Sequence, residues 1–251
     1  MKSQTIGHDS EFGLMQGGQI VSALDAFNED VHTTEAGRFF ADNMNCEIAI
    51  EPVTTLDKFH QYTEDLLGAV RGMGYELVMK PTIKYPERCM EHKMARVSGC
   101  NPDYSPYHMA TNDAPDFTTS DSTRSCGAHI HASLAPDQDP YWFSRWMDVY
   151  VGLPLLFAEE KSTRRDMYGK AGCMRVKPYG AEYRVLSNVW LDDPVKREFV
   201  WHGTHKAIEM SNVEPEEIMD WWDVPMAIDS HDLELAQRCI DRLYMYGVKV
   251  L

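Results

Sequence analysis

Four short stretches of this chain each set two ionisable side chains two or four residues apart within an alternation of apolar residues. They are Asp9 and Glu11 in GHDSEFGL, Glu47 and Glu51 in NCEIAIE, His129 and His131 in GAHIHASL, and Glu182 and Arg184 in AEYRVLS. In a β-strand, residues i, i+2 and i+4 point to one face, so each pair projects together. Phe12, Ile48, Ile50, Ile130, Tyr183 and Val185 alternate with them and face the other way. The apolar side of such strands goes to a core, and the charged side must meet water or a compensating partner. Lone buried carboxylates are costly, so carboxylates grouped on a sheet face need cations. Oxygen donors with an occasional imidazole suit Mg²⁺ or Mn²⁺ better than a thiol-loving metal.

Taken singly, each pair has an ordinary reading. Asp9 and Glu11 fit a solvated turn, Glu47 and Glu51 the wet face of an edge strand, the histidines a satisfied structural pair, and Glu182–Arg184 half of a surface salt bridge. Their joint occurrence points to a site. A basic set follows the same logic. Arg164, Arg165, Lys170, Arg175 and Lys177 fall within fourteen residues, just before Glu182, in a chain of 24 basic and 39 acidic residues. A solvated loop accounts for Lys170. For the arginines and Lys177 the alternative is a polyphosphate clamp, with arginine favoured for its fork geometry. Gly169, Gly172 and Gly180 allow that segment to approach a ligand closely.

The net charge of −15 argues against a general nucleic-acid or anionic-membrane partner and leaves room for metal cations. With 251 residues, 43% hydrophobic and 25% charged, the chain can bury a full core. The expectation is one catalytic domain over 1–251, with motifs in 7–190 and C-terminal helices over about 194–246. The longest apolar run, VYVGLPLLFA, has about half the length of a membrane helix. MKSQTIGHDSEFG has no apolar signal core, and none of the cysteines at 46, 89, 100, 126, 173 and 239 forms a CxxC pair. Reduced thiols and a cytoplasmic location are the expectation.

Periodicity and breakers predict strands at 5–15, 45–51, Tyr75–Met79, Cys126–Leu134 and Ala181–Ser187. A helix over 56–71 is capped by Thr55, with Leu56, Phe59, Leu66, Leu67 and Val70 inward. A second runs from Trp142 to Glu160 and bends near Pro154. Residues 98–124 read as a long loop, 161–180 as a basic, glycine-containing segment, and Pro194 to about Met245 as three helices. Trp190, Trp201, Trp221 and Trp222 read as core or interface. The irregular alternation suggests α+β with an antiparallel sheet. There is no GxxxxGK[ST] and no GxGxxG, so a P-loop or Rossmann site is not supported.

These stretches also resemble known enzymes. GAHIHASL is similar to the histidine strand of glutamine synthetases, and GHDSEFGLM to their opening acidic strand. AEYRVLSN resembles the ExR element they share with glutamate–cysteine ligases, and DNMNCEIAIEP the acidic strand of the latter. In order along the chain, GHDSEFGL, DNMNCE, GCNPDY (99–104), RSCGAHIH (124–131), RRDMYGKAGCMR (164–175) and GAEYRVLSN (180–188) resemble the bacteriophage-encoded carboxylate–amine (COOH–NH2) ligase family of that superfamily.

The resemblance implies a glutamine-synthetase-type catalytic fold, a curved, mostly antiparallel sheet with the active site on its concave face and helices packed on the other side. It implies ATP and two or more Mg²⁺ (or Mn²⁺) ions, and joining of a small-molecule or peptide carboxylate to an amine through an acyl phosphate. By the same resemblance Glu11, Glu47 and Asp42 hold one metal, and Asp9, His129 and Glu182 a second beside the phosphates. Glu51, where glutamate–cysteine ligases carry Thr, is either an added ligand or exposed. His131 faces the phosphates or the substrate. Arg184, with Arg175, Arg164 and Arg165, steadies the transferring phosphoryl group, and Arg124 holds a substrate carboxylate. A homo-oligomer is left open. The competing readings are a metal-dependent hydrolase built on the His-x-His strand, which needs neither ATP nor the basic segment, and a non-catalytic nucleotide-binding relative.

Overall fold

The computed structural model describes residues 4–28, 30–96, 103–112, 122–214 and 223–250. Much of the loop expected at 98–124, together with Cys100, Trp221 and Trp222, lies outside the described residues. The protein is α+β, with a large antiparallel sheet and helices on it.

The sheet grows outward from a long strand, β1 (Ile6–Gln16). The short β2 (Gln19–Val21) pairs with its C-terminal half. The hairpin-like series β3 (His32–Thr34), β4 (Gly37–Asp42) and β5 (Asn45–Ile50) stacks on one side of β1. β6 (Glu76–Val78) pairs with β1 near Gly13, and β7 (Thr82–Lys84) leaves the main sheet to pair with β10 (Thr123–Ser125). A short hairpin of β8 (Tyr104–Ser105) and β9 (Ala110–Thr111) borders the far side. There, β11 (Ala128–Ser133) pairs with β1, then β13 (Gly180–Tyr183), then β12 (Met174–Lys177). The order is β3-β4-β5-β1-β11-β13-β12-β8-β9, and every pairing is antiparallel.

The registers sort the side chains by face. Ile6, Phe12, Leu14, Cys46, Ile48, Ile130, Ala132, Ala181 and Tyr183 are buried on one side. Helix α1 (Ala23–Phe27) packs near the β4 end. Helix α2 (Leu56–Gly72) is started by Thr55, whose hydroxyl accepts from the Lys58 N–H, and it buries Phe59, Thr63, Leu66, Leu67 and Val70. That spacing is the i, i+4, i+7 stripe of a helix laid on a core. His8, also on the apolar face, is fully buried. It bonds Ser10 and Thr63 and meets the rings of Phe59 and Trp190 edge-on, which marks this face as the helix side.

The predicted bend near Pro154 is a π-helical turn. Helix α3 (Pro140–Met147) widens over Asp148–Gly152, where the Leu153 N–H reaches back to Asp148 O, before the short α4 (Leu153–Leu155). Proline supplies no N–H, so the ladder shifts just before it. The widened turn directs the Asp148 carboxylate at β13, where it accepts from the Tyr183 hydroxyl at 2.6 Å. The basic segment divides into α5 (Arg164–Met167) and β12, so Arg175 and Lys177 stand on a strand. The C-terminal part forms α6 (Pro194–Met210), α7 (Asp223–Ser230) and α8 (Leu233–Met245). Trp190 and Trp201 are core residues. No helix among the described residues is long and apolar enough to cross a membrane.

Candidate active site

The face opposite the helices gathers the ionisable residues. Strand β1 contributes Asp9 and Glu11. Across one flank Glu11 stands opposite Glu47, Glu47 opposite Phe40 of β4, and Asp42 opposite Asn45. Across the other flank Asp9 stands opposite His129, His131 opposite Glu182, and Glu182 opposite Arg175. Two groups result, each with ligand atoms within 4.8 Å of one another: Glu11, Asp42 and Glu47, and Asp9, His129 and Glu182. The adjacency comes from register, so strand pairing itself builds both groups.

The first group is three carboxylates packed together. Glu11 is held from the side. Its Oε2 accepts from the Gly127 N–H (3.1 Å) and from Asn45 Nδ2 (3.2 Å), and the Asn45 Oδ1 accepts from the Tyr85 hydroxyl (2.9 Å). Tyr85 belongs to a second, smaller apolar cluster with Met44, Ile83, Cys89 and Cys126, which walls this end of the polar face. Gly13 makes room for that wall, because a Cβ there would meet Ile83 Cδ1 at 2.4 Å. Burial, then Asp42, pushes Glu11 up to about 8. Burial and Asp9 raise Asp42, and burial with Asp9, Asp42 and Glu11 raises Glu47 well above the usual carboxylate range. Burial first, then neighbouring carboxylates, holds all three carboxyls above their ordinary range, and together they offer three oxygen donors to a cation.

The second group already has positive company. The Nδ1 of His129 lies 3.0 Å from Asp9 Oδ1 and 3.8 Å from Glu182 Oε1. Glu182, 1% exposed, also receives Lys177 Nζ at 2.6 Å, Arg175 Nη1 at 3.7 Å and a hydrogen bond from Arg184 Nη1. Burial, then Arg184, lowers His129 to about 4, so its ring is neutral at pH 7. Burial alone would raise Asp9, but contacts with His129 and His131 outweigh it and hold this carboxyl well below its ordinary range. His131 donates or accepts between Asp9 Oδ2 (2.9 Å) and the Tyr179 hydroxyl (2.5 Å). Gly127 is needed beside this group, since a Cβ would meet His129 Nε2 at 2.4 Å. A cavity of about 320 Å³ opens from Asp9 and His131 between Gly7, Ala49, Pro52, Ser133 and Tyr179, with Arg38 on its wall.

Other expected residues stand elsewhere. Arg164 is fully buried, and its guanidinium donates to three backbone carbonyls: Cys126 O (3.3 Å), Val185 O (2.6 Å) and Leu186 O (2.8 Å). It ties the ends of the strands bearing His129 and Glu182. Arg165 is ion-paired with buried Glu159 at 2.6 Å, and Glu159 also accepts from Ser187 Oγ. The phosphate role expected for Arg164 and Arg165 therefore does not match their placement. Arg124 donates to Ala95 O, Thr123 O and Asn43 Oδ1, contacts that brace β10 rather than a substrate carboxylate. Glu51 lies exposed past the end of β5 and joins neither group. Sequence reasoning missed Asn45, Asp103, Tyr179 and Arg38. Asp103 sits in the GCNPDY motif, and Arg38 is two strands from Asp9 with no local pattern to mark it.

Residues 120–220 match the model of the family described as phage phiEco32-like COOH.NH2 ligase-type 2. The family read from the sequence is the family matched. The COOH–NH2 ligase match takes in His129, His131, Arg175, Lys177, Glu182 and Arg184, while Asp9, Glu11, Asp42 and Glu47 lie before it. No curated protein matches this chain. Among solved structures, a bifunctional glutathione synthetase from Pasteurella multocida is similar at 11% identity and a TM-score of 0.43, over 98% of this chain and 49% of that one. This chain thus spans about half of that protein's length.

Proposed function

We propose that the protein is an ATP-dependent carboxylate–amine ligase that forms an amide or peptide bond through an acyl phosphate, on a glutamine-synthetase-type catalytic fold. The observation that carries this reading is the pairing of two ligand groups with a basic strand. Glu11, Asp42 and Glu47 form a nest of carboxyl groups, and Asp9, His129 and Glu182 lie beside Arg175, Lys177 and Arg184.

Both groups fit a hard divalent cation. The donors are carboxylate oxygens apart from the His129 ring, and Asp9 Oδ1 and Glu182 Oε2 now meet His129 Nδ1 at 3.0 Å and Lys177 Nζ at 2.6 Å, contacts that a cation can replace. Mg²⁺ or Mn²⁺ in these groups would neutralise the charge of a triphosphate. The chain's own residues do the rest. Lys177 and Arg175, now on Glu182, are within reach of a phosphate chain laid across β12 and β13. Arg184 offers a planar fork to the transferring phosphoryl oxygens. His131, held between Asp9 and Tyr179, keeps a ring nitrogen at the cavity mouth. The cavity, walled by Ala49, Ile50, Pro52 and Tyr179, has the size and apolar lining for a nucleoside. A carboxylate is a poor electrophile until phosphorylated, so positioning and charge stabilisation are the main demands on the protein.

The test incubates the protein with ATP, MgCl₂ and a pool of amino acids and follows ADP and phosphate release. Mass spectrometry looks for a product lighter by one water than its two parts. ADP release that depends on both a carboxylate and an amine, with such a product, is expected. Hydrolysis of a substrate with Zn²⁺ and without ATP would replace the reading by a metal-dependent hydrolase.

A further inference from the structure

Arg184 cannot serve Glu182 and a phosphoryl group with the same nitrogens, and the structure contains a second carboxylate that resolves the conflict. Asp103 is 6% exposed, and its Oδ2 lies 3.6 Å from Arg184 Nε. Both of these atoms are buried without a hydrogen-bond partner. The other side of Asp103 is fixed. Its Oδ1 accepts from Asn112 Nδ2 at 2.9 Å, and its carbonyl accepts from the Asn112 N–H at 2.8 Å. Asn112 Nδ2 also contacts Cys173 Sγ at 3.1 Å, next to Met174, which pairs with Tyr104. The β8–β9 hairpin therefore presents one carboxylate oxygen to one edge of Arg184, and the ring of Tyr168 lies 5.0 Å from its Cζ.

We infer that Asp103 is a positioning residue that holds Arg184 by its Nε edge when Glu182 turns to a cation. This rests on the ligase reading. With Glu182 engaged by a divalent ion, the guanidinium, its side chain 5% exposed, would stand beside new positive charge, and its bond to Glu182 would weaken. Among the described residues Asp103 is then the carboxylate left in close ion-pair range of it, with Glu11, Asp42 and Glu47 acting only from further off. The geometry leaves Nη1 and Nη2 for phosphate oxygens while Nε closes on Oδ2.

The experiment compares the wild type with Asp103→Asn and Asp103→Glu, following the ¹H–¹⁵N signal of Arg184 Nε during titration with MgCl₂, alongside steady-state ADP release. In the wild type MgCl₂ shifts the Nε signal downfield and slows its exchange. Asp103→Asn abolishes that response, and Asp103→Glu restores part of it. The turnover expected of Asp103→Asn is about 10–100-fold lower, with KM for ATP and the unfolding temperature little changed. If Asp103→Asn leaves the Arg184 signal and its Mg²⁺ response as in the wild type, the inference is overturned. If the signal behaves as expected but the wild type releases no ADP, the ligase reading fails and the Asp103–Arg184 contact stands.

Discussion

Glu47, half-buried, and Arg164, fully buried, are ionisable groups with opposite fates. Glu47 is raised by burial and by Asp9, Asp42 and Glu11, with Arg184 offsetting only part of the effect. Glu47→Gln removes that repulsion. In EDTA at pH 8 it should stabilise the fold by about 1 kcal/mol or more, read as a melting temperature up by about 2–4 °C. The same change should lower ATP-dependent turnover by about 10–100-fold, because a metal ligand is lost. Arg164 has no such trade-off. Arg164→Ala removes the donor to Cys126 O and Val185 O and leaves Leu186 O only the Ala128 N–H, and should cost about 3–5 kcal/mol in chemical denaturation. Arg164→Lys should recover little of it, since one ammonium cannot reproduce the fork. The contrast explains what could be read from sequence. Asp9–Glu11 and His129–His131 are local i, i+2 pairs, and strand period alone puts each on one face. The role of Arg164 depends on carbonyls 21, 22 and 38 positions away and on Gly169, whose Cβ would collide with the guanidinium. No local pattern carries that information.

At the scale of elements, the polar face of the sheet is a store of like charge. Glu11 has an ordinary value of 4.5 and a folded value of about 8, so the folded state holds its proton more tightly than the unfolded chain does. Its contribution is present in full below 4.5 and is lost as pH rises through about 8. Asp42 and Glu47 shift in the same direction. Metal-free protein should therefore lose melting temperature between pH 5 and pH 8. MgCl₂ should reverse most of that loss at pH 8, and a scan with EDTA and MgCl₂ at both pH values checks it. Strand β11 supplies another prediction. Gly127→Ala pushes the His129 ring off its place, so the MgCl₂-dependent rise in melting temperature should shrink while the apolar face stays packed. Elements were legible where pattern and punctuation agree. Thr55 and the Phe59–Val70 stripe define α2, and alternation defines β5. The widened turn before Pro154 and the strand character of Arg175 and Lys177 were not, because Tyr183, 35 residues from Asp148, and the pairing of β12 with β13 settle them.

At the scale of the molecule, the central claim is that antiparallel register brings acids and an imidazole from five strands and their ends into two cation sites that grip a triphosphate. The two sites should not fill alike. Arg175, Lys177 and Arg184 already compensate Glu182, whereas Glu11, Asp42 and Glu47 repel one another. The direct measurement is anomalous diffraction from crystals grown with MnCl₂, with and without a non-hydrolysable ATP analogue. The account predicts one manganese peak at Glu11, Asp42 and Glu47 without nucleotide, and a second at Asp9, His129 and Glu182 once the analogue is present. Analogue-bound crystals with no manganese at either group would contradict it.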